Sequence, residues 1–157
     1  MSGKLKVTAK GDREIVMTRG FDAPRRLVFD ALTKPELLKK WFYGPDGWTL
    51  AVCEIDLRVG GKYRYVWKRD ETEMGMGGVY REIVRPERIV ATGKFDEAWY
   101  PGEELDTTVL VEKAGKTTIT LTAEYESREA RDAVLASGAT AGVEMGYERL
   151  EKMLEAR

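Results

Sequence analysis

Histidine is missing from the 157-residue chain, and cysteine occurs once, as Cys53. The first absence removes the side chain that most often serves as general base or metal ligand. It also rules out Ser–His and Cys–His nucleophilic pairs and any Cys/His metal spacing, so neither a metal nor a cofactor is expected. A single cysteine excludes an intrachain disulfide and points to a reducing compartment. Long apolar runs are missing as well. Nothing approaches the length of a membrane span, and the N-terminal MSGKLKVTAKGDREIV has lysines without the apolar stretch of a leader. A cytoplasmic protein without membrane insertion is the expectation. Neither sign of charge is in excess: 26 basic against 27 acidic residues leave a net charge of −1, which gives no electrostatic reason for a nucleic-acid partner. A phosphate loop is excluded too, because Gly75-Met76-Gly77-Gly78 sits in a strand pattern with no Lys-Ser/Thr helix start behind it.

What is present reads as one domain over residues 1–157, with 1–12 as a flexible or extended lead-in. A chain of this size buries roughly 70% of its unfolded surface, so it needs no staples. Residues 13–21 read as a strand, followed by Asp22-Ala23-Pro24, where Asp22 is a candidate N-cap. A short helix over Pro24–Leu32 places Leu27, Val28 and Ala31 on one face. Thr33-Lys34-Pro35-Glu36 reads as a capping box for a second short helix carrying Leu37, Leu38 and Trp41. Gly44-Pro45-Asp46-Gly47 stops it, and the period then changes from helical to alternating. Strands are expected over 48–57, 62–69, 76–84, 88–95, 106–112 and 116–125, with a loop at 97–104. Ile119, Leu121 and Ala123 take the inward face of the last strand. Ser127 is a good N-cap for a closing helix that runs to Leu154 across Gly138 and Gly142.

Particular words in this order resemble a known family. Phe21-Asp22-Ala23-Pro24 and Val28-Phe29-Asp30-Ala31 look like the opening of START-like (SRPBCC) helix-grip domains. More narrowly, they look like the branch named for the activator of the ninety-kDa heat-shock chaperone's ATPase. Pro35-Glu36, Trp41 and Gly44-Pro45 match its second-helix word. Cys53-Glu54-Ile55-Asp56 with Gly60-Gly61-Lys62-Tyr63-Arg64 matches its first hairpin. Gly78-Val79-Tyr80-Arg81-Glu82-Ile83 with Pro86-Glu87-Arg88-Ile89-Val90 matches its middle strands, and Gly142 to Leu154 its closing helix. The resemblance implies an α+β, birch-pollen-allergen-like fold, a seven-stranded curved antiparallel sheet around a long C-terminal helix. Families of this fold include lipid carriers, polyketide cyclases, hormone receptors and co-chaperone domains, so fold alone leaves function open.

The candidate site is aromatic. Strand alternation places Tyr63, Tyr65 and Trp67 together on one face, with Arg64 on the other. Trp41, Phe42, Tyr80, Phe95 and Trp99 join them as candidate cavity-lining residues, with Met76 and Met145 as adaptable apolar ones. For any one of them taken singly, plain core packing is the commoner role. Tyr hydroxyls and Trp N–H groups need partners when buried, and a ligand cavity supplies them. Arg19 shares parity with Ile15, Met17 and Phe21, so it either meets an anionic ligand group or pairs with Glu54 or Glu112. The first functional expectation is a cavity for an apolar, lipid-like or aromatic small molecule. A stress-linked or chaperone-associated interaction module is the second and would expose an apolar patch near Trp99-Tyr100-Pro101. A cyclase- or hydrolase-like enzyme is the third and requires a buried carboxylate or Arg among the aromatics. A symmetric homodimer is compatible with a domain of this size.

Overall fold

Alternation between Arg13 and Phe21 folds as it reads: Ile15, Met17, Arg19 and Phe21 are buried while Val16, Thr18 and Gly20 face the other way. The computed structural model describes residues 3–156. In it this strand, β2 (Glu14–Phe21), is preceded by β1 (Lys6–Lys10), which pairs with it antiparallel from Lys6↔Thr18 to Lys10↔Glu14. Within the flexible or extended lead-in expected over 1–12, residues 6–10 are an extended edge strand, while residues 1 and 2 lie outside the described residues. All five of its residues are exposed, and its two lysines blunt an edge that would otherwise invite pairing.

Helices α1 (Arg25–Thr33) and α2 (Pro35–Trp41) follow. The expected capping box does not form. A residue before proline is pushed into extended backbone, so the break falls at Lys34 rather than Thr33. Thr33 ends α1, its hydroxyl donating to the Phe29 carbonyl at 2.8 Å, and Pro35 opens α2 at a position where its missing N–H costs nothing. Likewise the cap of α1 is Pro24, not Asp22: the Pro24 carbonyl accepts the first helical bonds from Leu27 and Val28.

The chain then meanders through β3 (Thr49–Ile55), β4 (Lys62–Arg69), β5 (Thr72–Val84), β6 (Arg88–Phe95), β7 (Glu104–Lys113) and β8 (Lys116–Glu124). The sheet order is β1-β2-β8-β7-β6-β5-β4-β3, antiparallel throughout, giving eight strands where the sequence indicates seven. The two short helices carry the chain from one side of the sheet to the other edge. Ser127 caps α3 (Arg128–Ala136) as expected, accepting from the Ala130 N–H at 3.1 Å. Gly138, at φ +83°, separates α3 from α4 (Ala139–Glu155), so the single expected helix is two. A left-handed residue cannot continue a right-handed helix, and glycine takes that conformation without strain.

The long helix α4 buries Tyr147, Leu150, Glu151 and Leu154 against the sheet. Gly146 faces the Trp41 ring of α2, where a Cβ would sit at 3.5 Å in ordinary van der Waals contact. Trp41 in turn donates its ring N–H to the Ala31 carbonyl at 2.9 Å, which locks α1, α2 and α4 together. Arg19 is the other tie. Its guanidinium meets Glu151 of α4 at 3.0 Å, with both side chains less than a tenth exposed. The partners named from sequence, Glu54 and Glu112, are not the ones used, because Arg19 stands on the face that α4 covers. Glu112 instead accepts from the Arg25 backbone N–H. Removing one member of such a pair strands a charge in the interior, so it sets the seating of the helix more than it adds stability. Among the described residues no helix is long and apolar enough to cross a membrane.

Candidate functional site

The concave face of the sheet is built strand by strand from its pairing register. On β4, Tyr63, Tyr65 and Trp67 point inward as alternation requires, paired to Gly78, Met76 and Met74 of β5. Their rings are in mutual contact, with centroids 5.0 Å apart for Tyr63–Tyr65 and 5.8 Å for Tyr65–Trp67. Phe42, just after α2, meets both Tyr65 and Trp67 edge-on at 5.3 Å. Tyr80 closes on Tyr63 from β5 at 5.5 Å. Polar tips are satisfied within the protein at two points: Tyr63 donates to the Thr92 carbonyl at 2.7 Å, and Trp67 to the Phe42 carbonyl at 3.0 Å. Tyr65 and Tyr80 lie on this same inner face, Tyr65 beside Met76 and Tyr80 beside Ala91. Burial raises the pKa of all three tyrosines, so they are neutral proton donors in the physiological range.

The ten residues singled out from sequence are not all in one place. Trp41, Tyr63, Trp67, Met76 and Tyr80 are buried, while Phe42, Tyr65 and Phe95 are partly buried on the same core. Phe95 bridges Trp67 and Trp99. Trp99 is 44% exposed and Met145 is 39% exposed, on the outer flank of α4, where its sulfur accepts from Arg149.

A second set of side chains completes the face, and sequence reading passed it over. On β7, Glu104, Asp106, Thr108 and Leu110 share one face, and Leu110 is fully buried. Asp106 stands between Ala91 of β6 and Ala123 of β8, two small residues that leave its carboxyl room. Glu104 faces Gly93, and a Cβ on that glycine would lie 3.1 Å from the Tyr63 hydroxyl and 3.2 Å from both Glu104 Cγ and Met76 Cε. The side chains therefore converge over a backbone kept bare. Tyr100 donates to Glu104 Oε1 at 2.6 Å, and its ring packs edge-on against Tyr125. The Glu104 and Asp106 carboxyls are neighbours on this face, two residues apart along β7.

Asp106 Oδ1 is fully buried and has no hydrogen-bond partner, the one such side-chain atom among the described residues. Desolvation first, and the neighbouring Glu104 second, push the Asp106 carboxyl well above the usual carboxylate range. Burial first, and the nearby Asp106 carboxyl to a lesser degree, raise the hydroxyl pKa of Tyr63, Tyr65, Tyr125 and Tyr147. Cys53 pairs with Tyr65 across β3–β4, and burial pushes its thiol up to about 11, leaving it unreactive. Among the described residues no group of three His, Cys, Asp or Glu side chains is arranged to hold a metal. The convex face differs in character. There an open depression of about 550 Å³ is lined by Glu54, Lys62 and Arg64, and Arg64 forms a two-pronged ion pair with Asp96.

A curved antiparallel sheet closed by a long C-terminal helix, with a tyrosine- and carboxyl-lined inner face, defines a helix-grip domain. The family model described as "Activator of Hsp90 ATPase homolog 1-like protein" matches residues 22–155, and the chain belongs to that family. Among solved structures, a protein from Rhodobacter sphaeroides is 30% identical, with 99% of this chain and 100% of that one covered and a TM-score of 0.93. A protein from Nitrosomonas europaea is 26% identical over 94% of this chain and 97% of its own, at a TM-score of 0.82. CalU16 from Micromonospora echinospora, 20% identical with a TM-score of 0.65 over 98% of this chain and 86% of its own, shares the fold alone. A comparison with curated proteins gave no match.

Proposed function

We propose that the chain is a small-molecule binding protein that holds an apolar ligand, with an aromatic or lipid-like body, between the concave face and α4. One observation carries the reading. Tyr65, Asp106, Thr108 and Leu121 all occupy inward positions at the centre of the sheet, yet each keeps accessible surface, whereas a filled core would bury them. Rings supply the apolar walls, and the few polar tips set orientation. Catalysis of the cyclase or hydrolase kind is a second reading, favoured by the half-buried carboxyl of Asp106, with its Oδ1 fully buried, on a face lined by tyrosines. The chaperone-associated reading has less behind it, because Tyr100 is buried beneath Trp99 and a single exposed ring is not a patch.

The test is a thermal-shift panel of fatty acids, sterols, polyphenols and aromatic polyketides on delipidated protein. A ligand at about a hundred times its Kd adds roughly 2.7 kcal/mol. For a domain of this length that is about 5–10 °C in Tm. The expected result is a shift by one chemical class that Tyr65→Ala removes. A panel that leaves the melting curve unmoved would overturn the reading.

A further inference from the structure

The outer face of the sheet, turned away from the helices, sorts its charges. The outward positions from Thr107 to Val111 on β7, Thr118 to Thr122 on β8 and Val16 to Gly20 on β2 carry none. One row in register, Thr8–Val16–Thr122–Thr107–Val90, crosses five strands on threonine and valine alone. Charged residues make up 34% of the chain, and a solvated sheet face ordinarily takes its share of them. Here they stand at the two ends of the stretch, divided by sign. At one end Lys113 lies opposite Lys116 across β7–β8; at the other Glu124 lies opposite Glu14 across β8–β2. Like charges directly opposite each other repel, so neither pair helps the single chain. Arg13 meets Glu124 at 3.4 Å, while Glu14, Lys113 and Lys116 have no ion-pair partner among the described residues.

The division is symmetric about one residue. Lys116 and Glu124 each stand four positions from Thr120, about 13 Å along the strand in opposite directions. A surface pairs with its own copy about a twofold axis only where it is its own complement. Turned over about an axis that crosses the strands at Thr120, this face lays its lysine end on its glutamate end and its uncharged middle on itself. We propose that the outer face of β2, β8 and β7 is the interface of a homodimer in which Lys116 of each copy meets Glu124 of the other. The two sheets then pack face to face with their strands roughly aligned. Because the face is convex, contact is closest along β8, and the long lysine stems span the ends. Val111, 57% exposed on the single chain, lies at the margin of the covered area. The concave face takes no part, so the inference is independent of the ligand reading.

Sedimentation velocity on the full chain, at concentrations up to about 1 mM, reads the equilibrium between one copy and two. A concentration-dependent dimer is expected. Thr120→Lys sets two like charges against each other on the axis, Lys116→Glu makes both ends acidic, and Glu124→Lys makes both ends basic. Each variant, shown folded by its melting curve, should weaken the dimer at least about tenfold. An equimolar mixture of Lys116→Glu and Glu124→Lys should dimerise again, because position 116 of either chain then meets the opposite sign at position 124 of the other. A chain that stays monomeric throughout the range would overturn the proposal. So would a dimer that Thr120→Lys leaves intact, or a mixture of the two end variants that remains monomeric. Should Thr120→Lys fail to fold, the mixing experiment still decides.

Discussion

Asp106→Asn is expected to stabilise the protein, by an amount that grows with pH. In the unfolded chain the carboxyl titrates near the ordinary value of about 3.9. In the folded state burial, and then Glu104, hold it well above that. Between the two values the folded protein keeps a proton that the unfolded chain has lost, so stability falls as pH rises. Below the lower value both states are protonated and the contribution is constant; above the upper one both are ionised and the loss is complete. Asparagine has the shape of the protonated acid but does not titrate. The advantage of the variant should therefore open at about pH 4 and widen by about 1.4 kcal/mol per pH unit until the folded carboxyl ionises. At roughly 2–4 °C per kcal/mol for a chain of this size, that is about 3–6 °C in Tm for each pH unit.

Urea unfolding of both proteins across this range reads the effect directly, as a Cm difference at constant slope. Titrating groups away from Asp106 are common to the two proteins and cancel in the difference, and Glu104, which interacts with it, is part of the effect that is read. A gap that does not change with pH would show that the carboxyl titrates alike folded and unfolded. A gap of the opposite sign, growing with pH, would show that Asp106 is a stabilising charge. Either result would refute a carboxyl held above its usual range by burial.

Breaking the Arg19–Glu151 tie by Glu151→Leu alone should cost about 3–5 kcal/mol, because the guanidinium is left buried and unpaired. The double variant Arg19→Met, Glu151→Leu should recover most of that in chemical denaturation; a double variant no better than the sum of the singles would show that the two side chains act independently. Gly78→Ala places a Cβ 1.8 Å from the Thr92 carbonyl oxygen, with the Tyr63 ring at 2.8 Å. A loss of about 1–3 kcal/mol is expected by the same measurement, and an unchanged Cm would mean that β5 and β6 are free to separate there.

Much of the fold was legible because its strands bury one face and its helices carry their own punctuation. β2 alternates cleanly in burial, β4 and β8 do so at their outer positions, and the Lys34-Pro35 step marks the α1–α2 boundary, though at a residue one position beyond the expected cap. β1 escaped notice for a physical reason. It buries none of its five residues, so no hydrophobic period exists to be read, and it is a strand only because β2 offers a free edge. The division of the closing helix turned on backbone conformation at Gly138, which composition flags as weak but does not resolve into a break.

The site divided along the same line. The aromatics of β4 declared themselves, since three rings at alternate positions need no partner strand to be placed on one face. β7 reads the other way round. Its odd positions Leu105, Val109 and Val111 form the more apolar set, yet Val111 is 57% exposed, and the inward set is Glu104, Asp106, Thr108 and Leu110. A strand that turns its carboxyls to the interior and its valines to solvent contradicts the pattern by which sequences specify folds, and it does so at some cost in desolvation. Neighbouring residues are adapted to that inversion. Ala91 and Ala123 flank Asp106, Gly93 lies bare beneath Glu104, and Tyr100 reaches in to hold the pair. Compensation from three separate segments marks the inversion as a built feature. Where the pattern that folds the chain fails most plainly is therefore where the chemistry of this domain is to be sought.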